Sequence, residues 1–373
     1  MPEYEIIDTT LREGEQTPGV LFSLPEKQRI LDGLVKVGVA EVELGIASRF
    51  HPCTGPLIAY GRRTHPGLRL SLWSRCREED IAWAAGQKPD LLSLSIPVSD
   101  IHLEKRLQKD RDWALRTMCE AIASAKRQGL TVAIGFEDAT RADNRFVNAM
   151  AKAAEEQGVV RVRLADTVGI ASPGRITRLV ESLRAEVRCP LAVHTHNDFG
   201  MATANGIAAL EAGARSVDTV VLGLGERTGC ARLEEIVAYL CLIEGMQTLA
   251  TEHLKPLACY VAGLTDRNIA GNRPVVGEDI FTCETGLHLQ GLQNDPETYE
   301  PYAPERVAGR RRLLIGPKTG RRAILARLDQ SGDILTENVS DIAVRNIRET
   351  ALALNRPLSE TELRRLLAGA AET

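Results

Sequence analysis

Short apolar runs alternate with amphipathic stretches from the start of the chain to about residue 255. Tyr4–Asp8, Val39–Leu44, Leu68–Trp73, Asp90–Ile96, Leu130–Phe136, Val159–Leu164, Leu191–Val193 and Ser216–Leu222 are brief and mostly apolar, as buried parallel strands are. Most of the stretches between them carry helical periodicity: Glu26–Val37, Glu78–Ala85, Asp112–Gln128, Asn144–Gln157, Gly174–Glu186 and Ala202–Glu211. In the first, Leu24, Ile30, Leu31 and Leu34 share a face. Pro25 opens that helix, and Gly38, Gly129, Gly158 and Gly213 stand where helices stop. Eight strands alternating with helices over roughly 240 residues predict an α/β fold, a (β/α)8 TIM barrel.

The alternation fails beyond about residue 255. Residues 256–318 are rich in Gly, Pro, Asn and charge and read as a linker held across the barrel mouth as a lid. Residues 319–373 form a mostly helical C-terminal subdomain, with helices expected at Gly320–Leu328, Asp341–Leu354 and Ser359–Ala368. The third opens on a capping box, Ser359 to Glu362.

Polar residues gather at the C-terminal ends of the strands: Arg12, Glu13, Gln16, Glu43, Glu137, Asp166, Thr167, His194, His196 and Glu226. In this fold that face builds the active site. His194 and His196 are two apart, so on extended backbone both imidazoles point to one side. With Glu13 reaching across from the first strand they make a ligand set with open positions, Asp198 standing by to orient a histidine. A 2-oxo acid suits such a site, because its carboxylate and ketone oxygens chelate one ion. The ion would be zinc, manganese or magnesium, and two imidazoles tilt the choice away from magnesium. The competing reading is a pair of surface histidines and an Arg12–Glu13 surface ion pair, worth little.

The other candidates divide the same way. Arg12 suits an oxygen that becomes an alkoxide. Thr167 offers a hydroxyl to a carboxylate or simply closes a turn. Glu137 is an acid–base candidate or a partner of Arg141. His288 and Tyr299 would supply acid–base groups from the lid. Arg75, just past the third strand, is a cation for a distal carboxylate or a helix-start arginine in solvent.

Composition narrows the class. With 44% hydrophobic and 26% charged residues, the 373-residue chain has ample core for a globular enzyme. A net charge of −4 and an aromatic content of 4% argue against nucleic acid and anionic membrane surfaces. The eight cysteines contain no CxxC pair, and the start of the chain lacks a basic, apolar leader. No apolar run is long enough to span a membrane. The expectation is a cytoplasmic enzyme with reduced thiols.

DTTLREGEQ, GFEDATR, LADTVG, HTHNDFG, GLGERTG and ETGLH, in this order from about residue 4 to residue 320, resemble the acetyl-CoA-dependent Claisen-condensing branch of the DRE-TIM metallolyases. That branch holds isopropylmalate, citramalate and homocitrate synthases. PVSDIHLEKRLQKDRDWAL before GFEDATRAD is most similar to the homocitrate synthases of nitrogen-fixing bacteria, which make the homocitrate of the nitrogenase iron–molybdenum cofactor. The resemblance implies Glu13, His194 and His196 as metal ligands, Arg12 as partner of the keto acid, and Gln16 and Thr167 as substrate-holding residues. It implies that His288, supported by Glu137 and Tyr299, takes a proton from acetyl-CoA, that Arg75 meets the distal carboxylate of 2-oxoglutarate, and that the enzyme is a homodimer exchanging lids. Glu13 stands where the family often has Asp, Cys230 where many relatives have Asn, and Gly316–Gly320 departs from the usual loop.

Overall fold

The computed structural model describes residues 4–284, 291–292, 294–330 and 339–371. The chain divides into two compact units, Met1–Asn268 and Ile269–Thr373. The first is a closed barrel of eight parallel strands in sequence order, β8 pairing back on β1. They are β1 (Glu5–Asp8), β2 (Glu41–Ile46), β3 (Arg69–Arg75), β4 (Leu91–Pro97), β5 (Val132–Glu137), β6 (Val162–Asp166), β7 (Leu191–Thr195) and β8 (Ser216–Thr219). Eight helices follow these strands as α1 (Leu24–Val37), α2 (Thr54–Thr64), α3 (Glu78–Gln87), α4 (Arg111–Arg127), α5 (Asn144–Glu156), α6 (Pro173–Arg184), α7 (Ala202–Glu211) and α8 (Leu233–Leu242). The TIM barrel predicted from periodicity is the observed fold, followed by a helical C-terminal unit.

Local signals explain most helix ends. Ser23 and Glu26 form a reciprocal capping box at α1, and Gly38 closes it at φ 92°, a left-handed cap that a side chain would strain. The apolar stripe Ile30, Leu31, Leu34 and Val37 is fully buried. Helix α2 is absent from the periodicity reading, since TGPLIAYGRRT mixes two glycines and a proline into its eleven residues. It is held by its neighbours: Leu57 and Ile58 are buried, and Gly61 lies so close to Leu70 that a Cβ there would collide.

Strand register identifies the residues that face the barrel interior. Ile7 is level with Glu41, Glu43 with Ser71, Arg75 with Ser95, Gly135 with Arg163, Ala165 with His194, and Ala192 with Ser216. With a period of two, the same interior face carries Glu41, Glu43, Ser95, Glu137, Arg161, Arg163, His194 and Asp218. This lumen is charged rather than aliphatic. Arg161 grips Glu41 through both nitrogens at 2.8 Å, and Arg163 reaches Glu43 at 3.0 Å and Asp218 at 3.2 Å. Buried pairs of this kind cost desolvation, so their value lies in holding side chains in place.

Strand β8 stops at Thr219, earlier than the expected Leu222. The chain there turns through Val221–Gly223 with Leu222 at φ 60°, which ends the ladder. The first unit also runs past the expected boundary at 255, because α9 (Leu254–Leu264) buries Leu254, Leu257, Ala258 and Val261 in it and contacts α1.

The second unit contains a two-stranded parallel pairing, Thr282–Cys283 with Arg312–Leu313, and helices at Arg321–Gln330, Asp341–Leu354 and Glu360–Ala371. Its core joins Ile315, Ala323, Ile324, Leu328, Ala343, Ile347 and Leu363. The capping box is present, Ser359 Oγ accepting from the Glu362 amide at 3.3 Å while the Glu362 carboxylate accepts from the Ser359 amide at 2.8 Å. The Gly316–Gly320 loop is a turn of this core: buried Thr319 bonds the Gly316 amide at 2.7 Å and takes Arg348 on its carbonyl.

Candidate active site

Glu13, His194, His196 and Cys230, all buried, bring one donor atom each to within 4.8 Å of one another. Three separate segments deliver them. Glu13 stands on the tight turn after β1, its amide bonded to the Thr9 carbonyl at 2.7 Å. His194 is the fourth residue of β7, and His196 continues it through a backbone bridge to Cys230 on the loop after β8. Thr17 stitches the first and last of these loops together, accepting from the Gly225 amide at 2.7 Å.

Each histidine turns a ring nitrogen toward the cluster. His194 Nδ1 lies 2.9 Å from the Asp218 carboxylate, which fixes the proton on that nitrogen and leaves Nε2 as a lone pair. Its Nε2 is 3.2 Å from His196 Nε2 and 3.8 Å from Glu13 Oε2. Burial, with His194 beside it, pushes the His196 imidazole down to about 3. Burial opposes the charge on Glu13, but Arg12 and the two histidines outweigh it and hold the carboxyl below its ordinary value. Lone pairs of nitrogen, oxygen and sulfur converging in a dry pocket are the donor chemistry of a divalent transition-metal site. The residues present therefore fit such an ion.

Arg12 is buried between two carboxylates. It bonds Glu13 through one terminal nitrogen and Glu43 Oε1 through Nε at 2.6 Å. Burial by itself would raise the Glu43 carboxyl, yet Arg163 and Arg12 bring it down to about 2. An unbroken line runs Arg12–Glu43–Arg163–Asp218–His194 across the lumen, and it fixes both the cation and the imidazole. Gln16, with its amide nitrogen turned inward, donates to both Glu13 oxygens at 3.1 and 3.2 Å and so braces that residue.

The remaining candidates are placed as follows. Thr167 Oγ1 accepts from the Asp138 amide at 2.8 Å. Glu137 accepts from Ser95 Oγ at 3.0 Å and pairs with Arg106 at 2.7 Å; Arg141, its expected alternative partner, bonds Asp138 instead. Asp198 sits with Arg227, both contacts at 2.9 Å, and Asp218 is the carboxylate that orients His194. Arg75 lies on the interior register of β3, and its guanidinium is held by Asp80 at 2.7 and 3.1 Å. Tyr299 belongs to the second unit and is half exposed. His288 lies outside the described residues.

Residues 3–259 match the model of the HMGL-like family. The chain belongs to the HMGL-like family. Residues 275–354 match a second model, described as homocitrate synthase post-HMGL domain-like. Among curated relatives, this HMGL-like chain is 37% identical to 2-isopropylmalate synthase 2 of Caldanaerobacter subterraneus subsp. tengcongensis, covering 96% of this chain and 93% of that one. It is 38% identical to homocitrate synthase 1 of Nostoc sp., covering 97% and 96%. Among solved structures, the HMG-CoA lyase of Bacillus subtilis aligns with a TM-score of 0.64 at 20% identity, over 72% of this chain and 96% of that chain, a likeness of fold.

Proposed function

We propose that this protein is a homocitrate synthase, condensing acetyl-CoA with 2-oxoglutarate to give homocitrate and CoA. The observation that carries the reading is the donor cluster of Glu13, His194 and His196 beside Arg12, in a chain whose barrel is followed by a homocitrate-synthase-type segment. The bound divalent ion would polarise the ketone and supply electrophilic assistance as a Lewis acid.

The chain's own residues do the rest. Glu13, His194 and His196 hold the ion, and Asp218 holds His194. Arg12 donates to the ketone oxygen and stabilises the negative charge it gains as the bond forms. Thr167 donates its hydroxyl proton to the substrate carboxylate while keeping the Asp138 amide on its oxygen. His288, aided by Glu137 and Tyr299, takes a proton from the thioester methyl group; that carbon then bonds to the ketone carbon. The alkoxide is protonated to a hydroxyl, and water cleaves the thioester to release CoA. Arg75 meets the distal carboxylate once it leaves Asp80. The working molecule is a cytoplasmic homodimer whose lids exchange, and homocitrate for a nitrogenase cofactor is its product. Among the described residues no helix is long and apolar enough to cross a membrane.

A second reading keeps the chemistry and changes the keto acid, making the protein an isopropylmalate or citramalate synthase. The isopropylmalate synthase relative favours it, as does the engagement of Arg75 by Asp80. Free-thiol release from acetyl-CoA, measured on metal-loaded protein with 2-oxoglutarate, 2-oxoisovalerate, pyruvate and oxaloacetate, separates the two. Release with 2-oxoglutarate alone supports homocitrate synthase; preference for another acid transfers the assignment. Silence with all four ends the condensation reading.

A further inference from the structure

We propose that Cys230 is a fourth protein ligand of the metal site and that its sulfur sets a preference for zinc over manganese or magnesium. The proposal rests on the metal-dependent reading of the site given above.

The geometry is specific. Cys230 Sγ lies 3.9 Å from His194 Nε2 and 3.8 Å from His196 Nδ1, while His194 Nε2 is 3.8 Å from Glu13 Oε2. Metal–ligand bonds of about 2.0–2.3 Å put neighbouring donors about 3–4 Å apart, so the sulfur is within reach of an ion held by the histidines and Glu13, which would expand beyond four-coordinate to take the keto acid.

The backbone is built to bring the sulfur there. His196 and Cys230 form an antiparallel bridge, flanked by the Asn197 amide on the Gly229 carbonyl at 2.8 Å and the Ala231 amide on the Thr195 carbonyl at 3.2 Å. Gly229, at φ 83°, has no room for a Cβ, which would strike the Gly223 carbonyl. Gly225, at φ 145°, leaves free the space where a Cβ would stand 3.2 Å from the Cys230 sulfur and 3.4 Å from Glu13 Cγ. Cys230 is 3% exposed, so its sulfur faces the histidines and Glu13 rather than water.

A set of two imidazoles, one carboxylate and one thiolate is softer than the same set without its sulfur. Thiolate favours zinc and is a poor ligand for magnesium and manganese, which prefer oxygen. The thiol passes its proton to solvent as it binds. Glu13, His194 and His196 alone would leave the choice of ion open; the sulfur closes it.

The test uses the full chain, stripped of metal with a chelator and titrated with cobalt(II). The expected result is one equivalent bound, with near-ultraviolet sulfur-to-cobalt charge-transfer absorption alongside visible ligand-field bands. In Cys230→Ser the charge-transfer absorption disappears and the ligand-field bands remain. Competition experiments should then show zinc affinity lowered about tenfold or more in the variant, with manganese affinity changed far less. Wild-type protein that binds cobalt without the sulfur band overturns the role of Cys230 and leaves the metal site standing, as does a band that persists in the variant. Wild-type protein that binds no cobalt overturns both. Where Cys230→Ser fails to fold, Cys230→Ala is read in its place, and absence of the sulfur band from wild-type protein is decisive by itself.

Discussion

Arg12 is fixed in place by its surroundings. Glu43 and Glu13 flank it, Arg163 completes Glu43, and no member of this group has appreciable exposure to water. Replacing Glu43 with Gln leaves two buried arginines short of a counter-charge. We expect kcat/KM to fall about 10²-fold or more through loss of Arg12 orientation, and thermal stability to fall as well. An unchanged kcat/KM would remove Arg12 from the transition state. Asp218→Asn tests the other end of the line. With the proton on His194 Nδ1 no longer fixed by a carboxylate, metal affinity should weaken about 10–100-fold by calorimetric titration, and unaltered affinity would detach Asp218 from the site. Glu13, His194, His196 and Arg12 were legible in the sequence because motif and strand-end position coincide. Arg163 carried a subtler sign, a charge two residues from Arg161 with apolar residues beside it, which is how a polar barrel lumen is written, whereas Asp218 in the short strand SVDT carried none. Asp198 was the wrong carboxylate to read as the orienting group: it lies nearer in sequence, but Arg227 takes it.

At the scale of elements, the loop after β8 carries a titration. Glu234, in the first turn of α8, accepts from the Leu222 amide at 3.1 Å and so pins the residue at φ 60°. Burial raises its carboxyl to about 7, and burial does the same to Asp8 on β1. Both groups hold protons in the folded chain at pH values where the unfolded chain has lost them. Stability contributed by the protonated forms is therefore complete below their ordinary carboxylate values, around 4, and is lost as pH rises to about 7. His196, pushed down to about 3, adds stability as pH rises over the same window, so the reading is a difference: from about pH 4 to about pH 7 Glu234→Gln should gain melting temperature relative to wild type, while Asp8 keeps its own share. A slope identical in wild type and variant would show that Glu234 is ionised throughout. The same loop shows why β8 ended early: Gly223, Gly225 and Gly229 allow backbone conformations that break a ladder. Helix α2 was illegible for the opposite reason, since its packing on α1 and β2 rather than its own composition makes it a helix.

Across the whole molecule, the division into a barrel and a helical unit follows from where strand–helix alternation stops, with α9 joining the barrel through its apolar face. The expected placement of 256–318 as a lid across the barrel mouth stands as a proposal about how the units work together. It has a direct genetic test. If lids exchange in a homodimer, Arg12→Ala and His288→Ala proteins, each nearly inactive, should regain activity when unfolded and refolded together, because mixed dimers contain one intact site. No recovery from mixed dimers shown to have formed would put each lid on its own barrel. The family is legible from motifs spread over both units, while Arg75 as a determinant of the keto acid belongs to the proposal, since Asp80 holds its guanidinium.

The central claim is that this site removes a proton from the methyl group of acetyl-CoA and joins that carbon to a ketone. Mass spectrometry of the product formed from acetyl-CoA carrying a fully deuterated methyl group, with 2-oxoglutarate as partner and metal-loaded protein, tests it most directly. The account predicts a tricarboxylate retaining two of the three deuterons, formed together with free CoA and absent when the metal is chelated. A product that retains all three, or CoA released by hydrolysis with no new carbon–carbon bond, would contradict it.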